Sequence, residues 1–125
     1  MLVVGGTGFI GKRLVRSLVE RGIGVRVLSR SVASARLAFS GLPVDVVQGT
    51  HDDRQVLDRA LDGIAVVYHL AKATGQRWDD YVSNDIEPTR VLAEAALAHR
   101  VSRFIYTGTI DSYDSADART VIDSS

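Results

Sequence analysis

The sequence predicts an α/β fold: a doubly wound parallel sheet of about five strands in the order 3-2-1-4-5. Two observations lead to this prediction. Short apolar runs alternate along the chain with segments of helical period, and a glycine-rich turn joins the first run to the first helix. Because crossovers between parallel strands are right-handed, helices should cover both faces of the sheet. A ligand cleft is then expected at the carboxyl ends of strands one and four.

The bounds of the individual strands and helices are predicted from hydrophobic periodicity and from the residues that begin or end such elements. The predicted strands are residues 2–4, 25–29, 44–48, 65–70 and 104–107, and the predicted helices are residues 9–21, 34–39, 53–61 and 79–99. Asp52 and Gln55 have the spacing of a capping box at the start of the third helix. Pro88 lies inside the last helix and has no N–H to donate to the carbonyl of Asn84, so we expect a kink there.

The length and composition of the chain exclude several classes of protein. The chain has 125 residues, of which 46% are hydrophobic, enough for one core. Fifteen basic residues balance fifteen acidic ones, which gives no field for binding nucleic acid or a membrane surface. We expect no leader before the first strand, and no apolar run approaches the roughly 20 residues of a membrane span. We therefore expect a cytoplasmic protein without nucleic-acid or membrane partners.

Metal binding is not expected from this sequence. The chain has no cysteine, which excludes a disulfide framework and thiolate ligands. The three histidines, His51, His69 and His99, fall on separate predicted elements and lack the spacing of metal ligands.

The opening MLVVGGTGFIG places three glycines between a strand and a helix and a fourth, Gly11, in the first turn of that helix. The motif can be taken as Gly5, Gly8 and Gly11 or as Gly6, Gly8 and Gly11. Glycine here permits unusual backbone angles, leaves room for a phosphate and lets the helix pack closely on the strand. Amides at the helix N-terminus would then bind a pyrophosphate. A tight turn without a ligand is the alternative.

Three blocks of sequence point to one family. GGTGFIG followed by Leu14 and Val15, VVYHLAK at residues 66–72 and RFIYTGTIDSY at residues 103–113 resemble the extended short-chain dehydrogenase/reductase family, the NAD(P)-dependent epimerases, dehydratases and reductases. The resemblance implies a Rossmann fold, with residues 1–110 as the NAD(P)-binding domain. Residues 111–125 would be a polar tail leading towards a substrate domain. Both ends look cut, so we expect the cofactor-binding half of a longer enzyme, truncated before that domain.

The end of the second strand bears on the choice of dinucleotide. NAD-preferring relatives commonly carry an acid there for the adenosine ribose hydroxyls. This chain has Ser29 and Arg30 instead, about twenty residues beyond the last motif glycine. A guanidinium can bind a 2′-phosphate through two charge-assisted hydrogen bonds. We therefore predict NADP as the cofactor, with NAD as the alternative. A solvated Arg30 is the competing interpretation.

The end of the third strand departs from the family pattern. Relatives often carry Gly-Asp near the adenine amino group, whereas this chain has Gly49, Thr50 and His51. Thr50 can still accept a hydrogen bond, and His51 could stack on the adenine edge. An ordinary polar loop is equally compatible with these residues.

The segment after the fourth strand is assigned to the nicotinamide half of the cofactor. The resemblance implies that Leu70 and Ala71 line this half, and it also assigns Phe9 and Ile10 to cofactor binding. Lys72 stands where relatives tend to have Ala or Gly. It could contact the pyrophosphate, contact the nicotinamide ribose or point into solvent.

The chain contains only part of the set of catalytic residues that the resemblance implies. Relatives use a Ser/Thr–Tyr–Lys system, and their hydroxyl residue corresponds to Thr109. Tyr68 and Lys72 match Tyr-x-x-x-Lys, but on a strand they lie about 13 Å apart. A helix would bring them to roughly 5–6 Å. Without a helical Tyr–Lys pair, the chain alone is expected to be inactive.

The resulting prediction is the NADP-binding part of an enzyme acting by hydride transfer. Its substrate would be a nucleotide sugar or a similar small hydroxy or carbonyl compound, and the full-length protein could form a homodimer. One alternative is a dinucleotide-sensing module without catalysis. Another is a Rossmann-like domain for S-adenosylmethionine, against which TGTIDSY argues. A Tyr-x-x-x-Lys helix further along the natural gene would distinguish an enzyme from a sensor.

Overall fold

The computed structural model describes residues 1–72 and 77–108. The strands are β1 (Leu2–Val4), β2 (Val25–Ser29), β3 (Val44–Gln48), β4 (Val66–His69) and β5 (Arg103–Tyr106). The helices are α1 (Phe9–Glu20), α2 (Val32–Ala38), α3 (Arg54–Leu61), α4 (Trp78–Tyr81) and α5 (Glu87–Ala98), with a π-helical turn (Val82–Ile86) between the last two. Within these two ranges, no helix combines the length and apolar character needed to cross a bilayer.

The five strands form one parallel sheet in the order β3-β2-β1-β4-β5. In the central strand, Val3 is level with Val27 of β2 on one side and Tyr68 of β4 on the other. The predicted fold class and strand order are therefore confirmed. The carboxyl ends of β2, β1 and β4 lie side by side at one edge of the sheet.

Alternation along β1 divides the core between the two faces of the sheet. Leu2 and Val4 pack with buried residues of α3 and α5, whereas Val3 packs with Val15 and Leu18 of α1. All five side chains are at most 6% exposed. Both faces are thus covered by helices, and the short central strand is apolar throughout, as a parallel sheet requires.

The N-cap residue of α3 differs from the predicted one. The N-cap residue is Asp53, whose carboxylate accepts hydrogen bonds from the amides of Gln55 (3.0 Å) and Val56 (3.2 Å). The prediction that Asp52 caps this helix is therefore wrong. Asp53 has the extended backbone of a cap residue and reaches the second and third helical amides, whereas Asp52 lies in the preceding turn.

The predicted long helix is interrupted before Pro88. The N–H of Glu87 donates to the carbonyl of Val82, five residues earlier, which is the hydrogen bond of a π-helix. Pro88 is buried in the first turn of α5, where an amide N–H would have no partner within the helix. The irregularity expected at Pro88 thus takes the form of a wider turn just before it.

Candidate functional site

A cleft of about 580 Å³ lies at the carboxyl edge of the sheet. This volume is within the usual range for small-molecule sites. Its walls come from the ends of β1, β2, β3 and β4, the start of α2 and the π-helical turn. The lining residues are Val4, Gly5, Thr7, Leu28, Ser29, Arg30, Ser31, Ser34, Gly49, Thr50, His51, Asp52, Ala71, Lys72, Ser83, Asn84 and Pro88.

Two glycines let the turn after β1 pack against its neighbours. Gly5 has φ +83°, and a Cβ on it would lie 2.6 Å from the amide nitrogen of Ala71 and 2.8 Å from the carbonyl carbon of Leu70. A Cβ on Gly11 would lie 2.6 Å from the Cα of Gly6. Side chains at these positions would push the turn away from β4 and α1 away from the turn.

The start of α1 is an open amide terminus. Gly8 is the N-cap residue, no side chain caps the helix, and the first turn contains no acidic residue. Among the described residues outside the helix, a Cβ on Gly8 would have one neighbour within 4 Å, the carbonyl oxygen of Gly5 at 3.3 Å. The first amides of this twelve-residue helix have no intrahelical acceptor and carry the positive end of the dipole. They are suited to bind an anion.

The end of β2 is held by serine hydrogen bonds and presents one cation. The Ser29 hydroxyl donates to the carbonyl of Ser31 (3.0 Å), and the Ser31 hydroxyl accepts from the amide of Ser34 (3.2 Å), which caps α2. Ser29 is buried, whereas Arg30 is exposed and lines the cleft. Among the described lining residues, the one carboxylate is that of Asp52, from the segment after β3.

His51 contributes a half-buried ring to the cleft. Its centroid lies 5.2 Å from that of His69, at an interplanar angle of 57°. Burial lowers the pKa of His51, and the positive charge of Arg30 acts in the same direction, whereas Asp52 and Asp85 oppose the shift. The neutral imidazole therefore presents an aromatic face to the cleft near neutral pH.

His69 lies directly behind this ring in the core. It is 0% exposed, and its Nε2 lies 2.8 Å from the Thr89 hydroxyl. Burial, reinforced by His51, lowers the pKa of His69 to about 4. Within the described part of the chain, its Nδ1 is buried without a hydrogen-bond partner. His69 is therefore a neutral, structural link between β4 and α5.

The structure brings together many of the residues predicted to bind cofactor. Those lining the cleft are Gly5, Ser29, Arg30, Thr50, His51, Ala71 and Lys72. Gly8, Phe9, Ile10 and Gly11 lie at the start of α1 and outside the lining, and Leu70 packs against the apolar core on the α1 side. Phe9 is 80% exposed and Ile10 is 63% exposed. Thr109 is outside the described residues.

Several lining residues were not predicted. Ser83 and Asn84 enter the cleft from the π-helical turn, whose register has no simple sequence signature. Ser31 could have been recognised, because a serine between a strand and a helix is typical of an N-cap, and its hydroxyl accepts from the backbone amide of Ser34.

Two further expectations concern the Tyr68–Lys72 pair and metal binding. Tyr68 lies on β4 and Lys72 follows that strand, so the pair is not on a helix. No group of three or more His, Asp or Glu side chains among the described residues is placed to hold a metal ion.

Comparison with known proteins agrees with this geometry. The model of the NAD-dependent epimerase/dehydratase family matches residues 1–124. The chain belongs to this family. The match therefore covers the sheet, the glycine turn and the cleft together.

Three individual proteins illustrate what this chain is similar to. A 2-alkyl-3-oxoalkanoate reductase of Stenotrophomonas maltophilia is 34% identical over 111 residues, which cover 87% of this chain and 33% of that protein. A short-chain dehydrogenase/reductase of Agrobacterium tumefaciens, solved with bound NAD, is 30% identical with a TM-score of 0.70, over 84% of this chain and 31% of that one. A UDP-N-acetylglucosamine 4-epimerase of Bacillus cereus is 25% identical with a TM-score of 0.73, over 92% and 41%. The chain spans about a third of the length of the curated relatives it matches.

Proposed function

We propose that this chain is the NADP(H)-binding part of an oxidoreductase that transfers hydride to or from a small hydroxy or carbonyl substrate. Family membership supports a nicotinamide dinucleotide in the cleft. Arg30, at the end of β2, is the observation that carries the choice of NADP over NAD. The reductase and the nucleotide-sugar epimerase among the relatives make a carbonyl compound or a nucleotide sugar the candidate substrate class.

The residues present fit a dinucleotide. A side chain on Gly5 would overlap the end of β4, and Gly8 leaves the start of α1 bare, so a pyrophosphate can approach the first helical amides. The adenosine half would then lie towards Arg30 and His51, and the nicotinamide half towards Ala71. Arg30 supports this direction, because it follows β2, and β2 and β4 flank β1 on opposite sides.

In the proposed mechanism the chain binds and orients its ligands. When bound, the nicotinamide ring would supply the hydride chemistry of the family. The first amides of helix α1 would bind the pyrophosphate, and Ala71 would line the cleft beyond the end of β4. Thr109, just beyond β5, would donate a hydrogen bond to the substrate oxygen. In this proposal the proton acceptor is contributed by sequence outside this chain.

The proposed preference for NADP can be expressed as the free energy of the hydrogen bonds between Arg30 and the 2′-phosphate. A hydrogen bond to a charged group contributes about 1.5–3 kcal/mol, which corresponds to about tenfold or more in affinity. A carboxylate at the same position would instead repel the 2′-phosphate. Because Arg30 is exposed, solvent weakens the interaction, and the lower end of the range is expected.

The test is a titration of the full chain with NADPH and NADH, by calorimetry or nucleotide fluorescence. Arg30→Ala should lower the ratio of NADPH to NADH affinity about tenfold. Arg30→Asp should lower it further. Arg36→Ala is the matched control, because Arg36 is exposed on α2 and does not line the cleft. An unchanged ratio in both Arg30 variants would contradict the choice of NADP. Failure of the wild-type chain to bind either nucleotide would contradict the dinucleotide site itself.

A further inference from the structure

We infer that Lys72 is a second phosphate-binding residue of the cleft and contacts the pyrophosphate of the dinucleotide, while Arg30 contacts the 2′-phosphate. This inference rests on the proposed function. It assigns a separate phosphate group to each of the two cations that line the cleft.

The packing of the glycine turn places Lys72 beside the start of α1. A Cβ on Gly5 would lie 2.6 Å from the amide nitrogen of Ala71, so the turn touches the residue directly before Lys72. Gly8, the N-cap residue of α1, is joined to the same turn by a hydrogen bond from its amide to the carbonyl of Gly5 (3.1 Å). An anion held by the first amides of α1 is therefore close to the backbone of Lys72.

The strand order separates the two cations. Arg30 follows β2 and Lys72 follows shortly after β4, with β1 between these strands. Neighbouring strands are about 4.8 Å apart, so the two strand ends are separated by roughly 10 Å. The two cations therefore approach the cleft from different strand ends. The 2′-phosphate and the pyrophosphate are attached at different positions of one ribose, which matches two separated cations.

The local charges leave Lys72 available to an anion. Within residues 1–72 and 77–108, neither Lys72 nor Arg30 has a carboxylate oxygen within the 4.0 Å of a salt bridge. The carboxylate that lines the cleft, Asp52, follows β3, which is separated from β4 by two strands. Ser83 and Asn84, which also line the cleft, supply neutral hydrogen-bonding groups. A compact ammonium in this position is suited to a phosphate as a point charge.

Two nucleotide fragments separate the roles of the cations. ADP carries the diphosphate without a 2′-phosphate, and adenosine 2′-monophosphate carries the 2′-phosphate alone. The affinity of the full chain for ADP, adenosine 2′-monophosphate, NADH and NADPH would be measured for the wild type, Lys72→Ala, Lys72→Arg and Arg30→Ala. Lys12→Ala is the matched control, because Lys12 is the other lysine of the chain, is exposed on α1 and does not line the cleft.

Lys72→Ala should weaken ADP, NADH and NADPH by a common factor of about tenfold and leave adenosine 2′-monophosphate unchanged. Lys72→Arg should retain most of the affinity. Arg30→Ala should show the complementary pattern, with losses for adenosine 2′-monophosphate and NADPH but not for ADP. Lys12→Ala should change all four affinities little. Thermal unfolding of each variant would verify that it is folded.

Other outcomes would overturn the inference. Equal ADP affinity in Lys72→Ala and Lys12→Ala would mean that Lys72 is solvated. A loss confined to NADH and NADPH, with ADP unaffected, would place Lys72 at the nicotinamide ribose instead. Both results leave the proposed function intact if the wild type binds NADPH. A wild-type chain that binds none of the four ligands would overturn the proposed function and the inference together.

Discussion

The Nε2 atom of His69 and the hydroxyl of Thr89 lie 2.8 Å apart and join the end of β4 to helix α5. His69 is fully buried, and Thr89 follows Pro88, which lines the cleft. The hydrogen bond therefore fixes one wall of the cleft to the sheet. Because Nδ1 of His69 is buried without a partner in the described structure, the imidazole depends on the bond to Thr89 for its side-chain hydrogen bonding.

Removing the hydroxyl of Thr89 should destabilise the fold. Thr89→Val keeps the shape of the side chain but leaves a second buried nitrogen of His69 without a partner, which costs about 1–3 kcal/mol. Urea denaturation followed by circular dichroism would measure the change in the free energy of unfolding. Thr89→Ser, which keeps the hydroxyl, is the control and should lose less. Equal losses in the two variants would show that the methyl group, not the hydrogen bond, stabilises this contact.

The buried imidazole should also make stability depend on pH. Burial, with His51 as the next cause, lowers the pKa of His69 to about 4, below the usual value of about 6.5 in an unfolded chain. Between these values the unfolded state binds more protons, so stability is fully present above about pH 6.5 and is lost as the pH falls towards 4. The shift corresponds to a total of roughly 3 kcal/mol.

The measurement is the free energy of unfolding between pH 7 and 5, above the range in which most carboxylates titrate. The wild type should lose stability steadily over this interval. His69→Gln, which cannot titrate, should start less stable and show a much shallower slope. Thermal melts at each pH would give the same comparison, and parallel slopes in the two proteins would refute the assignment to His69.

The fold could be predicted because its signals are local. The apolar run of β1, the glycine turn and the helical period of α1 are all contained in short stretches of sequence, and the parallel order then follows from the handedness of crossovers. Arg30 could be placed in the cleft for the same reason, since it directly follows a strand whose carboxyl end borders the cleft.

The features that sequence reasoning missed depend on atomic geometry. Asp52 and Asp53 are chemically identical neighbours, and the cap is decided by which of them has the extended backbone at the start of α3. Ser83 and Asn84 enter the cleft because the π-helical turn changes the register of the chain. Periodicity averaged over a window cannot resolve a change of one residue in a helical turn.

Gly5 should be far less tolerant of substitution than Gly22, although both have a positive φ. Gly5 has φ +83° and packs against Leu70 and Ala71, just after β4. Gly22 has φ +75°, and no heavy atom of the described residues would lie within 4 Å of a Cβ placed on it. Gly22→Ala should therefore lower the free energy of unfolding through backbone strain alone, by about 1 kcal/mol. Gly5→Ala adds overlap with the backbone of Ala71 and should cost about 2–5 kcal/mol. Urea denaturation of the two variants would measure the difference, and similar losses would mean that the turn can move away from β4 without cost. Where Gly5→Ala still folds, its NADPH affinity should fall, because moving the turn displaces the first amides of α1.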